Sequence, residues 1–383
     1  MMKKRVLAML LCVVMMFSVC ACGESNTDNK TPDSENTENS GSQDVKQPSI
    51  DTLADYSDMS VVLSGEYEIT NDILNVYFSN VLYEAGVGIV KVTDRDTVQE
   101  GDIVKTDYTG YVNNQKFENG AATDQWIDVS NNCGIDVSTG QSSGGFIDGF
   151  SAGLVGAKIG EPTDSPVVFP ETYDRDTTLE DGSTLNLANQ PATFQFVVHE
   201  IYEVVTPENI TDAFVAENLS KTYEVNTVAE FMDFLERELA FNYTISYVIE
   251  NSTFNIPESY LYARLEDYQT YFEEIYCKET GLEKYLSTYG YTVDQMQAQW
   301  LTQINQQIQA ELVFTAMVEK EQLSVDEEGH KAYIQNIISA NGEFFPDADS
   351  VHKYAAAGNA EAGEAYMMNQ TAIRDHFIAN YDK

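Results

Sequence analysis

The chain of 383 residues sets 62 Asp and Glu against 21 Lys and Arg, a net charge of −41. Such a charge repels nucleic acid and anionic headgroups, which excludes both as partners. An apolar fraction of 43% excludes a largely disordered chain, and the length allows two or three domains with cores of their own.

The chain opens on a positive cluster, Lys3, Lys4 and Arg5, and an apolar run, "VLAMLLCVVMMF", that is short for a spanning helix and reads as a secretory signal over residues 1–21. It ends in Val19, Cys20, Ala21 and Cys22. This resembles a bacterial lipobox, in which Cys22 is lipidated and becomes the first residue; a plain signal or an uncleaved anchor is the alternative. Removal of the signal leaves 18 basic against 62 acidic residues, about −44. From Cys22 to Ile50 the chain is rich in Ser, Thr and Asn and has no aromatic residue. It is expected to be a disordered tether of about 30 Å root-mean-square length. These features place the domains outside the cytoplasm, on a lipid anchor at the cell membrane.

Residues 51–95 read as a lead-in of a short strand and a helix. Thr70 or Asn71 caps the helix, and Ile73, Leu74, Tyr77, Val81 and Leu82 recur at helical spacing.

Residues 96–205 are strand-rich. "DIVKTDYTGYV" alternates Ile103, Lys105 and Asp107 against Val104, Thr106 and Tyr108, and "PATFQFVVHEIYE" sets Phe194, Phe196 and Val198 on one face. Between them "GGFIDGFSAGLVGAKIGE" mixes glycines with Phe146, Ile147, Phe150 and Leu154. It predicts tight turns around one short helix, Gly149–Gly156, lining a concavity against a twisted antiparallel sheet.

With "GDIVKTDYTGYVNNQKFENG", "FPETY" and "LANQPATFQFVVHEI", this stretch resembles the FKBP-type peptidyl-prolyl isomerases, and most closely the isomerase domain of the trigger factor family. The resemblance covers four blocks across about a hundred residues. It implies a pocket built from Tyr108, from Phe117 with the neighbouring acid Glu118, and from a wall of Ile135 and Val137. The Phe146–Ile147 pair would meet the ligand with its side chains and the Ile147 N–H, Phe150 would form the floor, and Tyr173 and Phe196 the far side. Each of these also reads as plain core. For Val137 and Phe196 taken alone the two readings stay open, whereas Tyr108, Phe117, Ile147 and Phe150 together favour the pocket.

Some segments depart from the family pattern. Thr123–Asn132 reads as an insertion ahead of the wall, Gly140–Phe146 is about two residues longer than is usual for the family, and Thr177–Thr184 lengthens a loop over the pocket. Pro162 and Pro166 make their strand an edge or a bulged one.

From 206 to 383 the pattern is helical. Val228, Phe231, Leu235, Leu239 and Ile245 mark one helix, "NIPESYLYARLEDYQTYFEEIY" a second, and Met296, Trp300, Ile304, Ile308 and Leu312 a third. "ITDAFVAE", "STFNIPESYL" and "VEKEQLSVDEEG" resemble stations of the trigger factor C-terminal chaperone domain, which implies helical arms. The basic ribosome-docking module of that family has no counterpart here, which implies no ribosome as partner. The fold class expected is α+β: an FKBP-like antiparallel sheet with one short helix, followed by an all-α helical-arm domain.

Covalent and metal chemistry find no support in the sequence. His199, His330, His352 and His376 show no ligand spacing, and Cys133 and Cys277 read as two unpaired thiols. The expected protein is therefore a cofactor-free, lipid-anchored prolyl isomerase and chaperone. Its partners would be unfolded or nascent secreted polypeptides containing X–Pro bonds. A non-catalytic chaperone that keeps the isomerase fold only to bind peptides is the second reading. A solute-binding lipoprotein is a third, disfavoured because it calls for two similar α/β lobes.

Overall fold

The computed structural model describes residues 46–381 apart from 279 and 343. Cys22 and the signal lie outside the described residues. The chain divides into two compact units: residues 70–235 form one, and residues 46–69 with 236–381 the other. The expected lead-in of 51–95 is thus shared between them. No helix among the described residues is long and apolar enough to cross a membrane.

The stretch expected as tether up to Ile50 already enters strand β1, Ser49–Thr52. Where a short strand was expected before the helix, the chain instead forms α1, Met59–Val62. The Asp58 carboxylate accepts the Ser60 N–H and caps it, a local bond that competes with extended backbone.

In the unit of residues 70–235, α2 (Asn71–Glu84) starts at Thr70, whose hydroxyl accepts the Ile73 N–H. The sheet follows: β2 (Ile89–Lys91), β3 (Ile103–Val112), β4 (Gln115–Asp128), β5 (Cys133–Asp136), β6 (Gln141–Gly145), β7 (Pro162–Val168) and, after the small hairpin of β8 (Asp176–Thr178) and β9 (Thr184–Asn186), β10 (Pro191–Val204). The order is β2-β10-β3-β4-β5-β6, with β7 also paired to β10. All these pairings are antiparallel. β7 carries both prolines and, among the described residues, pairs only with β10, the edge position that a strand lacking two N–H donors can occupy.

Thr123–Asn132 supplies the end of β4 and the turn into β5. The predicted helix at Gly149–Gly156 shrinks to a 3₁₀ turn, Ala152–Leu154. Gly149 and Gly156 take φ of +80° and +84°, which breaks a helix on either side. The core of this unit lies between that turn and the sheet, where Val104, Ile127, Leu154, Phe196, Val198 and Ile201 are buried.

After α3 (Asp212–Asn218) and a single helical turn at Ser220–Tyr223 comes the long α4, Val228–Asn251. The second unit then holds β11 (Thr253–Asn255), α5 (Glu258–Tyr276), α6 (Leu282–Thr288), α7 (Val293–Lys320), α8 (Glu327–Asn341), α9 (Ala348–Ala355) and α10 (Ala360–Asn380). It is largely helical rather than all-α, because β11 pairs with β1. The expected stripes of α4 and α7 face inward: Leu239, Ile245, Trp300, Ile304 and Ile308 are buried. Tyr56 and Val62 join a core with Phe241, Phe314, Ile334, Val351 and Tyr366, which is why residues 46–69 belong to this unit.

Candidate functional site

The concave face of the sheet gathers aromatic rings. Phe150 is the hub. It stacks on Phe146 at 4.3 Å between centroids and meets Tyr108, Phe194 and Phe196 edge-on at 5.1, 4.7 and 5.0 Å. Phe117 lies 6.0 Å from both Phe169 and Phe194, and Phe169 in turn lies 4.9 Å from Tyr173. Alternation along β3 and β10 aims Tyr108, Phe194 and Phe196 at one side. Phe117 fits only because Gly110 and Gly120 lack side chains: a Cβ at either would stand 2.5–2.6 Å from its ring.

A bulge refines the aim of Tyr108. The β3–β4 register shifts between Thr106 and Tyr108, where Asp124 takes φ of +54° and gives its N–H to the Asp107 carboxylate at 2.8 Å. Phe150 and Phe196 are buried, while Tyr108, Phe117, Phe146, Ile147 and Tyr173 are half-buried and present part of their surface to solvent. Burial pushes the Tyr108 phenol above its ordinary pKa, with Tyr173 adding to the shift. It stays a neutral donor.

The loop that carries Phe146 and Ile147 is held by Asn132. Its amide donates to the Phe146 and Ile147 carbonyls at 3.3 and 3.0 Å, and its Oδ1 accepts the Ser151 N–H at 2.9 Å. Its own carbonyl takes the Phe146 N–H at 3.0 Å. The Ile147 N–H, by contrast, meets no acceptor among the described residues. A half-buried donor at the edge of an aromatic wall is what a ligand carbonyl would find.

Of the residues singled out in the sequence, Tyr108, Phe117, Phe146, Ile147, Phe150, Tyr173 and Phe196 come together in this one cluster. Three do not. Ile135 is buried and Val137 half-buried, but neither packs into the cluster among the described residues; they sit at the β5–β6 hairpin, where Gly140 approaches the ring of Tyr83 instead. Glu118 points its side chain to solvent, and its backbone carbonyl accepts from Thr177 Oγ1 at 3.1 Å. Sequence reasoning missed Phe169 and Phe194 as cluster members and Asn132 as the loop anchor. Phe169 opens the "FPETY" block and Phe194 shares the face of Phe196, so both carried a signal. A lone Asn in a turn carried none.

Cys133 and Cys277 are both free thiols, as expected. The lengthened segment Thr177–Thr184 forms the β8–β9 hairpin. It is tied to the rim, with Leu179 bridging Phe117 and the Glu180 N–H donating to the Lys116 carbonyl at 3.0 Å.

Two segments of the chain match known families. Residues 94–199 match the family "FKBP-type peptidyl-prolyl cis-trans isomerase", and residues 236–374 match "Bacterial trigger factor protein (TF) C-terminus". Similar curated proteins include the trigger factors of Halalkalibacterium halodurans (25% identical, covering 76% of this chain and 64% of that one) and Macrococcus caseolyticus (26%, covering 85% and 71%). That of Staphylococcus saprophyticus is 27% identical over 74% and 61%. The chain therefore spans roughly two-thirds of the length of these relatives. A solved chain from work on "Promiscuous Substrate Recognition in Folding and Assembly Activities of the Trigger Factor Chaperone" aligns over 88% of this chain and 79% of its own, with a TM-score of 0.30 and 13% identity. The aromatic cradle thus lies inside the first matched segment and the helical unit takes in the second: this is a trigger factor-like protein, in which an FKBP-type peptidyl-prolyl cis-trans isomerase domain precedes a trigger factor C-terminal domain.

Proposed function

We propose that the protein catalyses cis–trans isomerisation of X–Pro bonds in unfolded secreted polypeptides, which its helical region holds, and that Cys22 anchors it by lipid outside the cytoplasm. The observation that carries the catalytic part is the aromatic cradle with the unpaired Ile147 N–H at its edge.

The physical case needs no nucleophile or general base. Rotation about the bond breaks amide resonance and faces a barrier of about 18–20 kcal/mol. The planar amide is strongly dipolar and well solvated; the twisted one is less conjugated and less dipolar. A dry cradle of Tyr108, Phe146, Phe150 and Phe196 therefore disfavours the planar form relative to the twisted one. The Ile147 N–H can hold the carbonyl that precedes proline while the rest of the bond turns. Bringing an event of about 100 s into the millisecond range requires about 7 kcal/mol of such differential stabilisation.

The test is a proline-limited refolding reaction with the full chain, alongside Tyr108→Leu and Phe150→Leu. Acceleration by the parent and its loss in both variants supports the assignment; equal acceleration by all three sinks it. A second reading, a peptide-binding chaperone without turnover, draws support from the β8–β9 hairpin fastened to the Phe117 rim. That reading predicts suppression of client aggregation with no acceleration of the slow phase. For the anchor, Cys22→Ala should move the protein from the membrane fraction to the soluble one. Unchanged fractionation would remove that part of the proposal.

A further inference from the structure

The histidines of this chain look unrelated in sequence, yet folding brings two of them together. In the helical unit His330 on α8 and His352 on α9 are buried. Their rings lie nearly parallel, 16° apart with centroids at 5.2 Å, and their Nε2 atoms face each other at 3.1 Å. Glu364 on α10 closes the third corner, with one ligand atom from each of the three residues within 4.8 Å of the others.

The approach of α10 is built into the backbone. A Cβ at Gly363 would stand 1.9 Å from the His352 carbonyl oxygen, so only glycine lets α10 lie this close and sets Glu364 beside the histidines. A plain hydrogen bond from one imidazole to the other would account for the two nitrogens. It leaves the carboxylate unexplained. Glu364 makes no hydrogen bond or ion pair among the described residues, although it borders two potential donors.

Metal geometry accounts for all three groups. A tetrahedral ion about 2.0–2.1 Å from each nitrogen places the two nitrogens roughly 3.3 Å apart, close to the separation observed. Burial pushes both imidazoles below their ordinary pKa, and for His330 the neighbouring His352 adds to this. A neutral imidazole has a lone pair to offer an ion. The carboxylate supplies the charge, and its exposed side leaves a fourth position to water.

We propose that His330, His352 and Glu364 form a site for a divalent first-row transition ion, Zn²⁺ fitting best, which clamps α8, α9 and α10 together. The role assigned is structural: three helices that meet at one ion unfold less readily, because the native state binds it and the unfolded chain does so poorly.

The full chain, stripped with a chelator, is titrated with ZnCl₂ by calorimetry and with Co²⁺ by visible absorption. One saturable site, a raised unfolding midpoint and the strong d–d bands of tetrahedral Co²⁺ are expected. Glu364→Gln should weaken Zn²⁺ binding by about tenfold and His352→Gln by about a hundredfold, both losing the Co²⁺ bands. Because Glu364 is exposed, its variant keeps the fold, checked by circular dichroism, even if the histidine variant does not. Absence of saturable binding, or binding unchanged by Glu364→Gln as adventitious carboxylate binding would be, overturns the proposal.

Discussion

Tyr108 meets Phe150 edge-on, the ring planes 89° apart and the centroids 5.1 Å from each other. This orients the positive rim of one ring toward the negative face of the other, worth about 0.5–1.5 kcal/mol beyond the area buried. A double-mutant cycle of Tyr108→Leu and Phe150→Leu, read by urea unfolding, should return a coupling of about that size. A coupling near zero would mean that the rings share a cavity without holding each other.

Asn132 is expected to act as a positioning residue for the ligand-facing loop. Asn132→Gly keeps the left-handed backbone, φ +48° in the parent, but removes the side-chain bonds to Phe146, Ile147 and Ser151. A stability loss of about 2–3 kcal/mol is expected. If Asn132 aims the Ile147 N–H, kcat for prolyl isomerisation should fall more than KM rises; an unchanged kcat would reduce its role to stability alone.

In the helical unit Arg264 on α5 and Glu311 on α7 form a two-pronged ion pair at 2.8 and 2.9 Å, with Arg264 only 2% exposed. The same guanidinium reaches the Ala356 carbonyl at 2.7 Å. Removing one partner strands the other charge in the interior, so Glu311→Ala should cost about 3–5 kcal/mol. Replacing both, Arg264→Met with Glu311→Leu, should recover most of that loss. Chemical denaturation of the three variants checks the order, which would be reversed if the pair gained stability from its charge alone.

Asp107 links the bulge beside Tyr108 to pH. The Asp124 N–H at 2.8 Å holds its carboxyl below the ordinary value, and the His199 imidazole at 3.1 Å adds to this. A depressed folded-state pKa contributes stability that is present above the unfolded value, about 3.9, and is lost as pH falls through the folded one. Asp107→Asn should therefore lower stability at pH 7 and flatten its decline below about pH 4. The effect is modest, since the carboxylate is 38% exposed. Parallel acid-unfolding curves for parent and variant would rule the linkage out.

Much of the cradle was legible because its residues lie on regular strands. Two-residue alternation placed Tyr108 on β3 and Phe196 on β10, and the Phe146–Phe150 block stood out by mixing glycine with aromatics. What that alternation did not place shares a cause. Ile135 and Val137 follow the family order, but the β5–β6 hairpin packs by its own contacts near Tyr83. Glu118 lies next to Phe117, and on a strand neighbouring side chains point to opposite faces. Asn132 works through a side-chain amide at a turn, which leaves no periodic trace.

Local periodicity and turn chemistry by themselves determined that a β-rich region precedes a helical one, because these depend on residues a few positions apart, while the isomerase reading rested on the resemblance of its motifs to a family. Only the tertiary structure decided that β1 pairs with β11 and carries residues 46–69 into the helical unit. It also decided that Phe169 closes the aromatic cluster and that His330 and His352, separated by 22 positions, face each other across two helices. These are contacts between distant segments, selected by how whole faces bury one another, and no local pattern encodes them.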